Sequence, residues 1–336
     1  MSHSKPVSDS NQDAALKPSA HAGWMTQLGV DGALTTLMLA GLVLAPPVCL
    51  YLGSPFWMDV INRVMILALA AASLSLLISL AGLVSFGHSV FMGIGGYTIG
   101  ILATHGIENG YIQLFVALVI SALVAFISGL VALRTRGVHF IMITLAFCQM
   151  VYFVMVGLRE YGGDDGLTIN IRSEFPRVLN LDNKTIFFYT TLALFALSLW
   201  LISRIRASRF GLVLNAAKGS ERRVAATGFD PFSYRLAVYV IAGTMCGLSG
   251  FLMGNFTLFM TPDSMSWLRS GELIFMVILG GVGTISGPFI GAVAFVVIEE
   301  LLGSVTVYWH FWFGLFLVAV VMFARGGIVG VLSRRK

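Results

Sequence analysis

"VMILALAAASLSLLISLAGLVSFGHSVFMGIGGYTIGILAT", residues 64–104, is two apolar runs around a short polar pause, and the reading of that pause decides the fold. A run of about 20 apolar residues crosses the hydrocarbon core of a bilayer as a helix. If "GLVSFGHS" is a short loop, the region 60–105 makes two crossings. If it dips back, the region makes one crossing plus a re-entrant piece. The same choice arises at "GGVGTISGPFIGAVAF", residues 280–295. Both pauses are flanked by glycine, which supports a helix break and also lets helices approach closely in lipid.

Working outward, the rest of the chain has the same character. Hydrophobic residues make up 57% and charged ones 11%, and the mean hydropathy is +0.88. A soluble domain is nearer half apolar and a quarter charged. Alternating short strands are absent, which argues against an outer-membrane barrel. The composition is that of an all-α polytopic membrane protein. Apolar spans fall near 33–53, 60–81, 88–105, 111–133, 139–158, 184–203, 235–257, 271–286, 288–304 and 308–325.

Charge sets the count. Short cytoplasmic loops are rich in Lys and Arg. Arg134 and Arg136 mark one such loop. A second carries Arg204, Arg206, Arg209, Lys218, Arg222 and Arg223, and the C-terminus carries Arg334, Arg335 and Lys336. These three share one side only if each interrupted region crosses twice. The expectation is therefore about ten transmembrane helices with both termini cytoplasmic. Residues 1–30, polar and rich in Ser and Ala, read as a disordered cytoplasmic tail. Residues 31–330 form the transmembrane domain, with a cytoplasmic loop at 204–234, and 331–336 are a basic tail.

Few side chains carry chemistry. Cys49, Cys148 and Cys246 each lie in an apolar run without ligand spacing, and read as buried thiols rather than a metal or redox centre. Broken spans in corresponding positions of two halves point to a transport path, which singles out Ser85, Gly87, His88, Gly93, Gly280, Gly283 and Gly287. Tight packing explains the glycines equally well, and His88 also reads as a structural or capping histidine near the cytoplasmic end of its span. Glu299 and Glu300 fall near the outer end of theirs. In the external loop 159–183, "YGGDDGL" reads as a turn, and Gly163, Asp164 and Asp165 offer a contact for an extracytoplasmic partner.

The loop 204–234 holds "GLVLNAAKGSERRVAATGFD" at 211–230. Asn215 can cap a helix and Gly228 can end one in the left-handed conformation. Lys218 and Glu221 are spaced to pair across a turn. The expected product is one basic helix of about three turns, with an alanine face suited to seating in another protein's groove.

Five stretches resemble a family in the same order: "LAGLVSFGHSVFMGIGGYTIG" (80–100), "RTRGVHFIMITLAF" (134–147), "GGDDGL" (162–167), "SRFGLVLNAAKGSERRVAATGFD" (208–230) and "ILGGVGTISGPFIGA" (278–292). Together they are similar to the ABC-transporter permeases of the branched-chain amino-acid type, often called LivM-like, over about residues 55–330. The resemblance implies a type II-like importer bundle in the bacterial inner membrane. It implies a second permease subunit, two cytoplasmic ATPases and an external substrate-binding protein as partners. It also places the coupling element at Asn215, Ala217, Lys218, Glu221, Arg222, Ala226 and Gly228. Lys218 stands where the family usually has Arg, while Gly219, Ser220 and Ala225 depart from its pattern. The chain has no G-x-x-x-x-G-K-[ST] loop, so ATP and magnesium would be bound by the partner subunits and no cofactor by this chain. A urea or short-chain amide permease of the same superfamily, a stand-alone secondary transporter and an intramembrane enzyme are the competing readings. No converging catalytic set supports the last.

Overall fold

The computed structural model describes residues 20–51, 53, 55–175 and 181–305, with 308, 311–316, 318, 327 and 328 beyond them. Residues 1–19 of the expected tail, most of the tenth span and the basic residues 331–336 lie outside the described residues. The rest of the polar N-terminal stretch, from Ala20 on, belongs to a helix.

Lipid offers no partner for backbone N–H and C=O groups, so apolar spans must satisfy them internally as helices. In chain order these are α1 (Ala20–Tyr51), α2 (Pro55–Ala81), α3 (His88–Thr104), α4 (Gly110–Ala132), α5 (Val138–Gly157), α6 (Lys184–Ala207), α7 (Arg209–Gly219), α8 (Glu221–Ala226), α9 (Pro231–Thr257), α10 (Trp267–Gly280) and α11 (Gly287–Val305). Starts are well made. Asn109, Asn183 and Asp230 cap α4, α6 and α9 through their side chains. Proline opens α2 and α9, where its missing N–H would be unbonded in any case.

Among the described residues, seven helices are long and apolar enough to cross a membrane: α1, α2, α4, α5, α6, α9 and α11. α3 and α10 are shorter, at 17 and 14 residues, and span about 26 and 21 Å at 1.5 Å per residue. The expected eighth span at 271–286 is thus displaced. Its helix begins at Trp267 and stops at Gly280, because Gly281 turns to φ +117°.

α2 and α9 form the centre. α2 is almost wholly buried, whereas α4 and α5 turn most of their length outward. Small residues let α9 come close to its neighbours. Gly243 and Gly247 meet Ala125 and Ser121 of α4; Gly250 and Gly254 meet the backbone of α3 at Met92 and Gly96. A Cβ at Gly250 would overlap the Met92 carbonyl, and one at Gly95 the Gly247 carbonyl. In lipid such contacts are driven by van der Waals packing rather than by hydrophobicity.

One end of the bundle is capped by the 158–175 loop. Gly162, Gly163 and Gly166 all have positive φ, which makes "GGDDG" a compact double turn as expected. It leads into β1 (Leu167–Thr168), paired antiparallel with β2 (Phe259–Met260). Leu167, Met260 and Met265 fill the space over Gly100, Gly96 and Gly93 of α3. Ser173 N–H donates to Asn255 Oδ1 at 2.9 Å and Arg172 Nε to the Asn255 carbonyl at 3.1 Å, tying the loop to α9.

Candidate functional site

Both pauses are true helix breaks. The first, residues 82–87, turns at Gly82 (φ +68°). It is pinned from α5, where Thr144 Oγ1 accepts from Phe86 N–H at 3.2 Å and the Thr144 carbonyl lies against Gly87. His88 begins α3 fully buried; its Nε2 is 2.8 Å from Ser73 Oγ, and its Nδ1 has no partner among the described residues. The Cys246 thiol donates to the His88 carbonyl at 3.3 Å. Beside it, Ser89 Oγ donates to the Ser266 carbonyl at 2.8 Å and lies 2.7 Å from Ser270 Oγ, while the Cys148 thiol donates to the Met265 carbonyl at 2.9 Å. The three cysteines are buried and free, as expected.

The second break, residues 281–286, turns at Gly281 and Gly283 (φ +117° and +95°). Gly280 lies against the Gly287 carbonyl, and Gly291 against that of Met276. Of the path candidates, Gly93, Gly280 and Gly287 therefore meet neighbouring protein atoms, Ser85, Gly87 and His88 are buried at the first break, and Gly283 is exposed at the second. Gly163 is buried, whereas Asp164 and Asp165 are exposed at the capped end.

The basic segment 204–234 sits at the opposite end and differs from its expected form. It makes two helices rather than one. Ser208 caps α7, accepting from Gly211 N–H at 3.3 Å, so Asn215 lies inside that helix and caps nothing. Extended Ser220 (φ −162°, ψ 106°) separates α7 from α8. The serine competes for local hydrogen bonds and the glycine before it costs a helix about 1 kcal/mol relative to Ala. Gly228, at φ +88°, ends α8 in the left-handed conformation as expected. Leu214, Ala217 and Val224 are buried against the bundle, which takes Ala217 out of the outward alanine face; Asn215, Lys218, Arg222, Ala226 and Gly228 stay exposed.

Lys218 and Glu221 do not pair. Glu221 instead forms ion pairs with Arg136, before α5, and Arg235, on α9. Lys218 Nζ donates to the Ser79 carbonyl at 3.2 Å, its stem lying 3.3 Å from where a Cβ on Gly82 would stand. Arg206, at the end of α6, donates from Nη1 to the Gly283 carbonyl and from Nη2 to Ser79 Oγ, each at 2.9 Å. Asp230 caps α9 through Phe232 and Ser233 N–H at 3.1 and 3.2 Å. The Ser233 hydroxyl first, then the Phe232 N–H, hold its carboxyl below its ordinary pKa.

The sequence reading missed three of these residues. Arg136 and Arg206 carried only an orientation signal, and Ser79 carried none. It also missed an ion pair between α2 and α11: Arg63 Nη2 donates to both Glu299 carboxylate oxygens, at 2.9 and 3.0 Å. Glu300 is exposed.

A helical membrane bundle, broken twice at glycines and braced at both breaks by one basic segment, is built as a transport permease. The family described as branched-chain amino acid transport system, permease component, matches residues 56–325, and the chain belongs to it. It is 25% identical to the high-affinity branched-chain amino acid transport system permease protein LivM of Escherichia coli, over 89% of this chain and 76% of that protein. The Salmonella typhimurium LivM is also 25% identical, over 81% and 69%. The high-affinity branched-chain amino acid transport system permease protein LivH of Escherichia coli is 24% identical, over 70% of this chain and 80% of that protein. No solved structure matches.

Proposed function

We propose that this chain is the membrane-spanning subunit of an ATP-driven importer for branched-chain, hydrophobic amino acids, with α7 and α8 as its coupling element. The observation that carries this is the seating of that segment: one face is buried on the bundle, the other presents Asn215, Arg222, Ala226 and Gly228 outward, and the Lys218 ammonium turns in to the Ser79 carbonyl. A segment that served only to orient the chain would need charge but no such seat. In this reading the exposed face docks on cytoplasmic ATPases that bind ATP and magnesium, and their closure moves the segment. The bundle then alternates between inward- and outward-open forms. The charge pattern supports ten crossings with both termini cytoplasmic, and the relatives' names support a second permease as partner. Asp164 and Asp165, exposed on the capped end, would face a substrate-binding protein.

The test is uptake in proteoliposomes holding this chain with its second permease, ATPases and binding protein. Labelled leucine should accumulate only with ATP, and this chain alone should hydrolyse none. Labelled urea taken up in place of leucine would move the assignment to the amide permeases, and uptake by this chain alone would overturn it.

A further inference from the structure

The cationic heads of Arg206 and Lys218 are placed where charge alone would not require them. Both bond backbone or hydroxyl oxygen. Those oxygens lie at the end of the helix that runs into the first break and within the second break itself. Ser79 is in the last turn of α2, and Gly283 lies just beyond the end of α10. The last four carbonyls of a helix lack intrahelical donors, and a cation there also meets the negative end of the helix dipole. Lys218 therefore caps the end of α2 at the Ser79 carbonyl, while Arg206 bridges the two interrupted regions through the Ser79 hydroxyl and the Gly283 carbonyl, and Ser79 is held by both.

The two residues are also linked through a tightly packed corner. At the corner between α6 and α7, Gly211 lies against the carbonyls of Ile205 and Arg206, and Ser208 Oγ donates to the Ile205 carbonyl at 2.6 Å. A shift of α7 carries Lys218, which it contains, and presses through this corner on Arg206 at the end of α6. Resting on the coupling role proposed above, we infer that Arg206 and Lys218 are the positioning residues that transmit displacement of α7 to both helix breaks at once.

The experiment is the amount of leucine taken up per ATP hydrolysed by the reconstituted complex, for the parent, Arg206→Gln, Arg206→Lys, Lys218→Met and Lys218→Arg. Methionine keeps the stem over Gly82 and removes only the ammonium. Arg206→Gln and Lys218→Met should co-purify with their partners and hydrolyse ATP, while uptake per ATP falls at least about fivefold, the lower end of coupling between linked sites. The Lys and Arg exchanges should restore much of it. Should Arg206→Gln fail to assemble, Lys218→Met decides alone. A parental ratio in the assembled variants overturns the inference, and so does a parallel loss of hydrolysis and uptake, which would mean a docking or folding role. A parent that carries leucine without ATP would remove the coupling reading itself. A parent that carries urea would leave the ratio, read with urea, as the test.

Discussion

Glu221 is the only acidic side chain between Arg204 and Arg223, and it faces two guanidinium groups of unlike exposure. Arg136 is 75% exposed and Arg235 13%. An exposed pair contributes about 0–1 kcal/mol, whereas stranding a desolvated partner costs roughly 2–5 kcal/mol. Glu221→Ala should therefore lower thermal stability in detergent by about 1–3 kcal/mol, chiefly through Arg235. A double-mutant cycle with Arg235→Met should show the larger coupling, and equal couplings for the two arginines would refute this. Gly228 poses a purely conformational question, because a Cβ there meets nothing within 4 Å while φ is +88°. Gly228→Leu should cost about 1–2 kcal/mol and impair transport, with Gly228→Asn milder, since Asn tolerates the left-handed region; leucine matching asparagine would discount the backbone argument. Asp230 gives a pH dependence. Its folded pKa is lowered, so its contribution is complete above the unfolded value near 3.8 and is lost as pH falls through the folded one. An acid-unfolding series should show that loss in the parent and not in Asp230→Asn, which keeps the cap without the titration.

Between elements, packing separates glycines that look alike in sequence. Gly250→Ala would press a methyl group into the Met92 backbone, which has no side chain to move aside. It should destabilise by about 1–3 kcal/mol and loosen α3 from α9. Gly271→Ala, on α10, meets no heavy atom within 4 Å and should be neutral or stabilising, since alanine favours a helix over glycine by about 1 kcal/mol. Thermal unfolding of the two variants side by side checks the contrast, and an equal loss would mean that α3 and α9 are not in close contact. The sequence made the existence of these helices legible, because apolar runs bounded by Gly, Asn and Pro leave few alternatives. Both breaks were legible for the same reason. Their content was not. A glycine string reads alike whether it lines a path or packs a helix, and only the carbonyls of Thr144, Met276 and Gly287 distinguish the two. The division of the basic segment into α7 and α8 was masked by its alanines, and Glu221's partners lie on the α4–α5 turn and on α9, beyond any local spacing rule.

For the molecule as a whole, sidedness is constrained by contacts that join distant parts. β1 pairs with β2, so Asp165 and Asp263 share an end; Glu221 pairs with Arg136, so the α4–α5 turn shares the other with α7 and α8. Cysteine labelling in cells should find positions 165 and 263 reactive from outside, and 135 and 215 only after the membrane is opened. Labelling of 165 and 215 from one side would refute the span map. The close fit of α3 on α9 also has a consequence for synthesis. α3 ends at Thr104, and its principal neighbour does not begin until Pro231. At about 5–20 residues per second, the ribosome takes roughly 6–25 s to reach its first residue. Throughout that interval a short, glycine-rich helix waits with its α9-facing side open, beside an α2 that is itself incomplete without α9. Biogenesis of this chain is therefore a matter of custody: the insertion machinery must retain the N-terminal half until the later helix arrives to close it.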